Sequence, residues 1–262
     1  MTQPRQARFW NAPSIRGLRA AFVFFTRLPV GGFPYQPEDW KWAAAHAPWV
    51  GLLLGAALGQ LNRLLAPVGG PAAAVLTIGA SLLLTGAFHE DGLADTCDAL
   101  GGSDDRDRVM SILKDSRIGA FGGAALVITI TGRAALLAAL GSSGSIALPL
   151  AWCSARVGPI WLMAMMPYVT DRDTGKSRDL ARAGVAQAVV ASAWLGLTSV
   201  IFVHFGFISA QRACALAGVL AAVTALTGYR YWVRVRGITG DFLGATEQLA
   251  ELAALAVLAW KA

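Results

Sequence analysis

Seven blocks of mostly apolar residues, at about 43–66, 71–88, 119–140, 146–166, 184–206, 211–228 and 241–260, decide what this chain can fold into. Several approach twenty residues, the length at which a helix crosses about 30 Å of hydrocarbon. The shorter blocks need tilt, or a terminal turn among the headgroups, to make up the distance. Hydrocarbon offers no partner for a backbone N–H or C=O, so blocks of this kind are helices. Composition agrees: 55% of the 262 residues are hydrophobic, 15% are charged and the mean hydropathy is +0.53, too little polar surface for a water-soluble globule. The expectation is one domain over 1–262, an all-α polytopic membrane helix bundle of about seven transmembrane segments (43–262). No secretory signal is visible, since residues 1–19 are polar and basic without an apolar core. Cys97, Cys153 and Cys214 are scattered and lack metal-ligand spacing, so packing is their expected role. Gly51, Gly55 and Gly59 recur every four residues, a spacing that lets two helices meet closely in lipid.

Charge supplies the orientation. Residues 1–42 mix Arg5, Arg8, Arg16, Arg19 and Arg27 with Phe9, Trp10, Phe22, Phe24, Phe25, Trp40 and Trp42. Basic residues beside aromatics suit an amphipathic helix lying in the interface, here over 15–30 and ended by Pro29 and the Gly31-Gly32 pair. Lys and Arg number six up to residue 41, four in 89–118, four in 167–183 and three in 229–240, whereas the alternate connections hold only Arg63 and Arg212. By the positive-inside rule the N-terminus and the three longer connections are cytoplasmic and the C-terminus is outside. The net charge of +6 then reports topology and attraction to anionic lipid or substrate, and nucleic acid is not needed to explain it.

Chemistry concentrates on that same side. His89-Glu90-Asp91-Gly92-Leu93-Ala94-Asp95-Thr96-Cys97-Asp98 follows an apolar block directly. On a helix Asp91, Asp95 and Asp98 (i, i+4, i+7) share one face. Two carboxylates about 6 Å apart repel by roughly 3 kcal/mol at an effective dielectric near 20. A bound cation explains such a face better than a solvated surface does. Oxygen ligands without a Cys/His set favour Mg²⁺, with Mn²⁺ as the alternative. Lys114 and Arg117, with Ser116 between them and Gly119 next, lie just before the third block and form a phosphate site, or else ordinary juxtamembrane anchoring. The 171–178 loop contains Thr-Gly-Lys-Ser, but the earlier glycine of a P-loop is missing, Thr170 standing in its place, and no strand precedes it. Asp241, between Gly240 and Phe242, either caps the last block or aims an oxygen at a metal. Arg156 lies mid-block and is read as a partner for aspartates or a substrate phosphate, while Arg133, nearer a block end, is expected to snorkel. For His89 two readings stand, a substrate-side ligand or base and a structural residue at a helix end.

Four segments carry a family resemblance: His-Glu-Asp-Gly-Leu-Ala-Asp-Thr-Cys-Asp (89–98), Lys-Asp-Ser-Arg-Ile-Gly (114–119), Thr-Gly-Asp-Phe-Leu-Gly-Ala (239–245) and Phe-Phe-Thr-Arg-Leu-Pro-Val (24–30). Together they resemble the cobalamin synthase family, the adenosylcobinamide-GDP ribazoletransferases, over nearly the whole chain. The resemblance implies an Mg²⁺-dependent inner-membrane transferase that joins adenosylcobinamide-GDP to α-ribazole or its 5′-phosphate and releases GMP. It implies Asp91, Asp95, Asp98 and Asp241 as metal ligands, the first three with Lys114 and Arg117 in the chemistry. Ser116, Arg156, Glu247 and His89 are then placed on the substrate, and assembly into a homo-oligomer stays open. The family often has Asp-Gly where this chain has Asp98-Ala99, and no role is carried into the 171–178 loop. The Asp-Gly-x-x-Ala-Asp part also resembles the acidic motif of the CDP-alcohol phosphotransferases. That rival pattern would require Ala-Arg after the first Asp-Gly and a longer spacing to two later aspartates. A cation-coupled transporter, the rival from another class, would place its acids near the midplane of broken helices.

Overall fold

Each apolar block becomes helix in the computed structural model, which describes residues 13–30, 35–169 and 179–260. The 171–178 loop therefore lies outside the described residues. In chain order the helices are α1 (Pro13–Phe25), α2 (Pro37–Leu64), α3 (Gly70–Thr85), α4 (Phe88–Gly102), α5 (Arg106–Ile112), α6 (Ala120–Leu140), α7 (Gly144–Ala155), α8 (Val157–Met165), α9 (Val185–His204), α10 (Ala210–Val235) and α11 (Gly240–Ala259). Among the described residues there is no strand, and the one β-bridge joins Tyr168 to Ile238.

Among the described residues five helical stretches are long and apolar enough to cross a membrane, or six if α3 and α4 count as one broken span. One of the five, Ala120–Met165, doubles back at the 3-10 turn Gly141–Ser143. The contacts show the reversal. Gly119 and Gly122 start α6 beside Asp98 of α4, whereas α7 ends with Arg156 beside Glu247 near the start of α11. Counted by direction, the described helices run along the bundle seven times. The start of α2 and the described parts of the connections after α4, α8 and α10 fall at one end of the bundle, and with them Arg106, Lys114, Arg117, Arg182 and Arg236.

Two blocks differ from their sequence outline. The 71–88 block stops at Thr85, where Gly86 (φ 71°) and Ala87 (φ 54°) are both left-handed and α4 leaves at 92° to α3. Glycine takes that conformation freely; for Ala87 it costs roughly 1–2 kcal/mol. The turn lays the charged 89–98 helix across the end of the bundle instead of driving it through the apolar interior. The 146–166 block breaks at Arg156 into α7 and α8.

The amphipathic N-terminal helix ends at Phe25, four residues before Pro29, and packs on α2. Ala20 and Ala21 are fully buried, Gly17 meets Trp42, and Arg16 Nε holds the buried Asp39 carboxylate at 2.9 Å. The α2–α7 seam is the closest in the bundle. A Cβ built on Gly51, Gly55 or Gly59 would lie 2.3–2.6 Å from the carbonyl oxygens of Trp152, Leu148 and Ser145 respectively, in antiparallel order. Backbone atoms cannot rotate away as a side chain would. Gly55→Leu is therefore expected to destabilise the protein by at least about 1–3 kcal/mol. Gly79→Leu, where nothing lies within 4 Å, is the control and should leave the thermal midpoint in detergent unchanged.

Short α8 has two occupied faces. Pro159, Ile160 and Met163 line a cavity toward α4 and α11, while Gly158, Trp161 and Leu162 line an apolar cavity of about 710 Å³ shared with α9 and α10.

Candidate active site

The site is made where α4 crosses the first turns of α11. A Cβ on Gly92 would stand 2.9 Å from Asp241 O and 3.0 Å from Asp241 Cα, and one on Gly244 would be 3.2 Å from His89 O. Two glycines thus let the helices touch backbone to backbone. The start of α11 is fixed independently. Tyr231, fully buried, stacks on Phe242 at 4.2 Å and donates its hydroxyl to Phe242 O at 2.9 Å. Thr239 Oγ1 accepts from Phe242 N at 3.3 Å, so Thr239 is the N-cap and the reading of Asp241 as cap is corrected. Asp241 sits in the first turn instead, where the helix dipole favours a carboxylate.

This crossing brings Asp91 and Asp241, 150 positions apart, to one cavity of about 130 Å³ whose other walls include Phe24, Phe25, Phe88, His89 and Arg156. Phe25 stacks on His89 at 6.2 Å, and Phe24 meets Phe88 edge-on at 5.7 Å. The Phe-Phe pair of the 24–30 segment is therefore wall of the site, a role the sequence reading did not assign. On its other side Asp91 borders a recess of about 240 Å³ together with Asp95 and Ser116.

Asp98 has a different engagement. Its carboxylate accepts from Gly119 N at 2.6 Å and Gly122 N at 2.8 Å, capping the start of α6 and leaving one lone pair per oxygen. The two cationic candidates are not brought to the Asp91 cavity. Arg117 is exposed and folds onto Asp115, with NH2 to Oδ2 at 2.6 Å. Hydrogen bonds from the Arg117 guanidinium, and next from its backbone N–H, hold the Asp115 carboxyl down at about 2. Lys114 borders a separate recess with Arg106, Asp107 and Val169.

Beneath the cavity lies a buried ionic layer. Glu247, 2% exposed, pairs electrostatically through Oε1 with Arg156 NH1 at 3.0 Å, without a hydrogen bond, and accepts from Gln248 Nε2 on Oε2 at 2.9 Å, with His89 Nδ1 3.6 Å from Oε2. Arg156 also donates to Trp152 O at 2.7 Å and lies 4.6 Å over the Trp152 ring. Its partner is thus a glutamate and not one of the aspartates. Arg133 does not snorkel: it is 1% exposed, with NH2 2.9 Å from Glu90 Oε1 and NH1 3.3 Å from Glu251 Oε2. The snorkelling expectation fails because three helices close over the guanidinium and supply two carboxylates. Glu90 and Glu251 were missed. The signal was present, since Glu247 and Glu251 are one turn apart in an apolar helix and two intramembrane arginines require acidic partners.

Among the described residues no three His, Cys, Asp or Glu side chains gather closely enough to hold a metal ion alone. Asp91 and Asp241 facing one cavity do fit a hard divalent cation. Mg²⁺ commonly takes one or two carboxylates and completes its octahedron with water and substrate phosphates.

Comparison with known proteins identifies the family. The family model described as cobalamin-5-phosphate synthase matches residues 17–259. The chain is 40% identical to the adenosylcobinamide-GDP ribazoletransferase of Leptothrix cholodnii over 253 residues, covering 92% of this chain and 93% of that protein. It is 37% identical to the protein of the same name from Vibrio cholerae serotype O1, covering 88% of each chain. No solved structure matches. The chain belongs to the cobalamin-5-phosphate synthase family and is a membrane transferase of cobalamin synthesis.

Proposed function

We propose that this enzyme joins adenosylcobinamide-GDP to α-ribazole, or to α-ribazole 5′-phosphate, at the cytoplasmic face of a bacterial inner membrane. A ribose hydroxyl forms a new bond to the phosphorus attached to cobinamide; the bridging P–O bond to GMP breaks, and GMP and a proton are released. The observation that carries the proposal is the meeting of Asp91 and Asp241, from two helices, in one cavity walled by Arg156 and His89.

Asp91 and Asp241 would hold Mg²⁺, or Mn²⁺, with Asp95 beside them. The ion would supply charge neutralisation on the pyrophosphate and the departing GMP. The chain's own groups do the rest. Arg156, fixed by Glu247 and Trp152, holds a guanidinium at the back of the cavity that does not have to reorganise to meet a phosphate. Phe24, Phe25 and Phe88 exclude water from the front. A cavity of about 130 Å³ is too small for a corrin, so it receives the pyrophosphate end. Ser116, at the recess shared with Asp91 and Asp95, is placed to donate to a phosphate oxygen, with Lys114 and Arg117 further out on the same connection.

The test uses purified protein in detergent or nanodiscs with adenosylcobinamide-GDP, α-ribazole and Mg²⁺. GMP release is expected to require all three and to stop with EDTA. No release under these conditions, or release that is the same without α-ribazole, overturns the proposal.

A further inference from the structure

We infer that Arg133 is a positioning residue for the acidic helix: with Glu90 and Glu251 it forms one of two clamps that hold Asp91 and Asp95 against α6 and α11. The inference rests on Asp91 being the carboxylate that meets the substrate's phosphates. Glu90 and Asp91 are neighbours on a helix, so their side chains diverge by about 100°. Asp91 is exposed and lines the cavity, while Glu90 points into the bundle and is buried. Arg133 NH2 holds Glu90 at 2.9 Å and its NH1 holds Glu251 at 3.3 Å, tying α4 to α6 and α11 through one side chain. Eight residues along α4, Asp98 accepts from Gly119 N and Gly122 N, again on α6. Asp91 and Asp95 fall between these two attachments.

Such a clamp answers a physical need. Helix α4 enters through the left-handed Gly86-Ala87 pair, so its own chain direction does little to fix it. Its exposed face carries carboxylates that repel one another and favour fraying. The clamp has no spare partners: Glu90 Oε2, Glu251 Oε1 and Arg133 Nε have no other hydrogen bond among the described residues. Lysine would bring the charge but not two directed donors, so it cannot hold both carboxylates in one geometry.

Two variants separate positioning from folding. In the triple variant Glu90→Gln/Arg133→Met/Glu251→Gln no unpaired charge is buried, so the protein should fold, as buried ionic groups replaced together often allow. Arg133→Lys keeps the charge and gives the same effects in milder form. The first readout is hydrogen exchange in metal-free protein. Amides of α4 should exchange about tenfold faster or more in the triple variant, while those of α2 and α7 stay unchanged. The second is the Mg²⁺ concentration for half-maximal GMP release, expected to rise about 10- to 100-fold with kcat reduced and the KM for α-ribazole unmoved. If the triple variant does not fold, Arg133→Lys carries the same two readouts. Wild-type exchange in α4, or an unshifted Mg²⁺ curve in folded protein, overturns the inference. If the wild type releases no GMP, the proposed reaction falls, and exchange in α4 still decides the clamp.

Discussion

Asp91→Asn is expected to lower the turnover of GMP release by about 10³-fold or more while leaving the thermal midpoint within about 2 °C of wild type. The reason lies in where the residue stands. Asp91 is exposed, and its side chain has neither hydrogen bond nor ion pair among the described residues, so the fold does not depend on it. Asparagine has nearly the same shape and helix propensity. It removes the charge at the point where two helices turn carboxylates into one cavity, and it relieves repulsion with Asp95 one turn away. Stability should therefore be unchanged or slightly higher, and only chemistry should suffer. Turnover and thermal unfolding on the same preparation check both halves. Near-normal turnover in Asp91→Asn would move the reacting centre elsewhere.

The opposite profile is expected beneath the cavity. Glu247→Ala leaves the Arg156 guanidinium buried without its carboxylate, and breaking a buried pair from one side costs about 3–5 kcal/mol. For a chain of this size that is a fall of roughly 10 °C or more in midpoint, accompanied by poor yield of folded protein. Removing both partners, as Glu247→Leu/Arg156→Met, should recover most of the stability, because an apolar pair of similar volume needs no compensation. Activity should not return with it, since the guanidinium at the back of the cavity is gone. Thermal unfolding of the single and double variants in one detergent makes the comparison. A Glu247→Ala protein as stable as wild type would mean that Arg156 is compensated by something other than this pair.

These contrasts show what could be read from residues alone. The passes were legible because apolar blocks of spanning length admit few alternatives in lipid, and the charge alternation matched the end at which the connections gather. The acidic face was legible because Asp91, Asp95 and Asp98 carry the helical period in their own spacing. What escaped depended on contacts between distant positions. Asp98 finds its donors at Gly119 and Gly122, Arg133 finds Glu90 and Glu251, and those pairs are 21 to 118 residues apart. Intramembrane arginines and acids were visible as types, but no local pattern says which of them pair. At Thr239-Gly240-Asp241 two residues both suit an N-cap, and only the backbone shows which one takes it. The bend after Thr85 was hidden for another reason: Ala87 adopts a conformation its residue type disfavours, imposed by the chain on either side.

The helix α8 gives the cavity walls of unequal stiffness. On the side of α2, which contributes Ala47, glycines lock backbone to backbone with α7, and a displacement there meets atoms at once. On the side of α8, Met163 and Ile160 are backed across one helix diameter by about 710 Å³ of apolar space. Close-packed interiors transmit strain, whereas a wall backed by an open apolar groove on the lipid side yields more readily. Swelling of the cavity around a large guest is thus steered outward through α8, toward the acyl chains. The lateral pressure and thickness of the surrounding bilayer would act against that movement, so the KM for the corrinoid substrate is expected to differ between nanodiscs of different lipid composition.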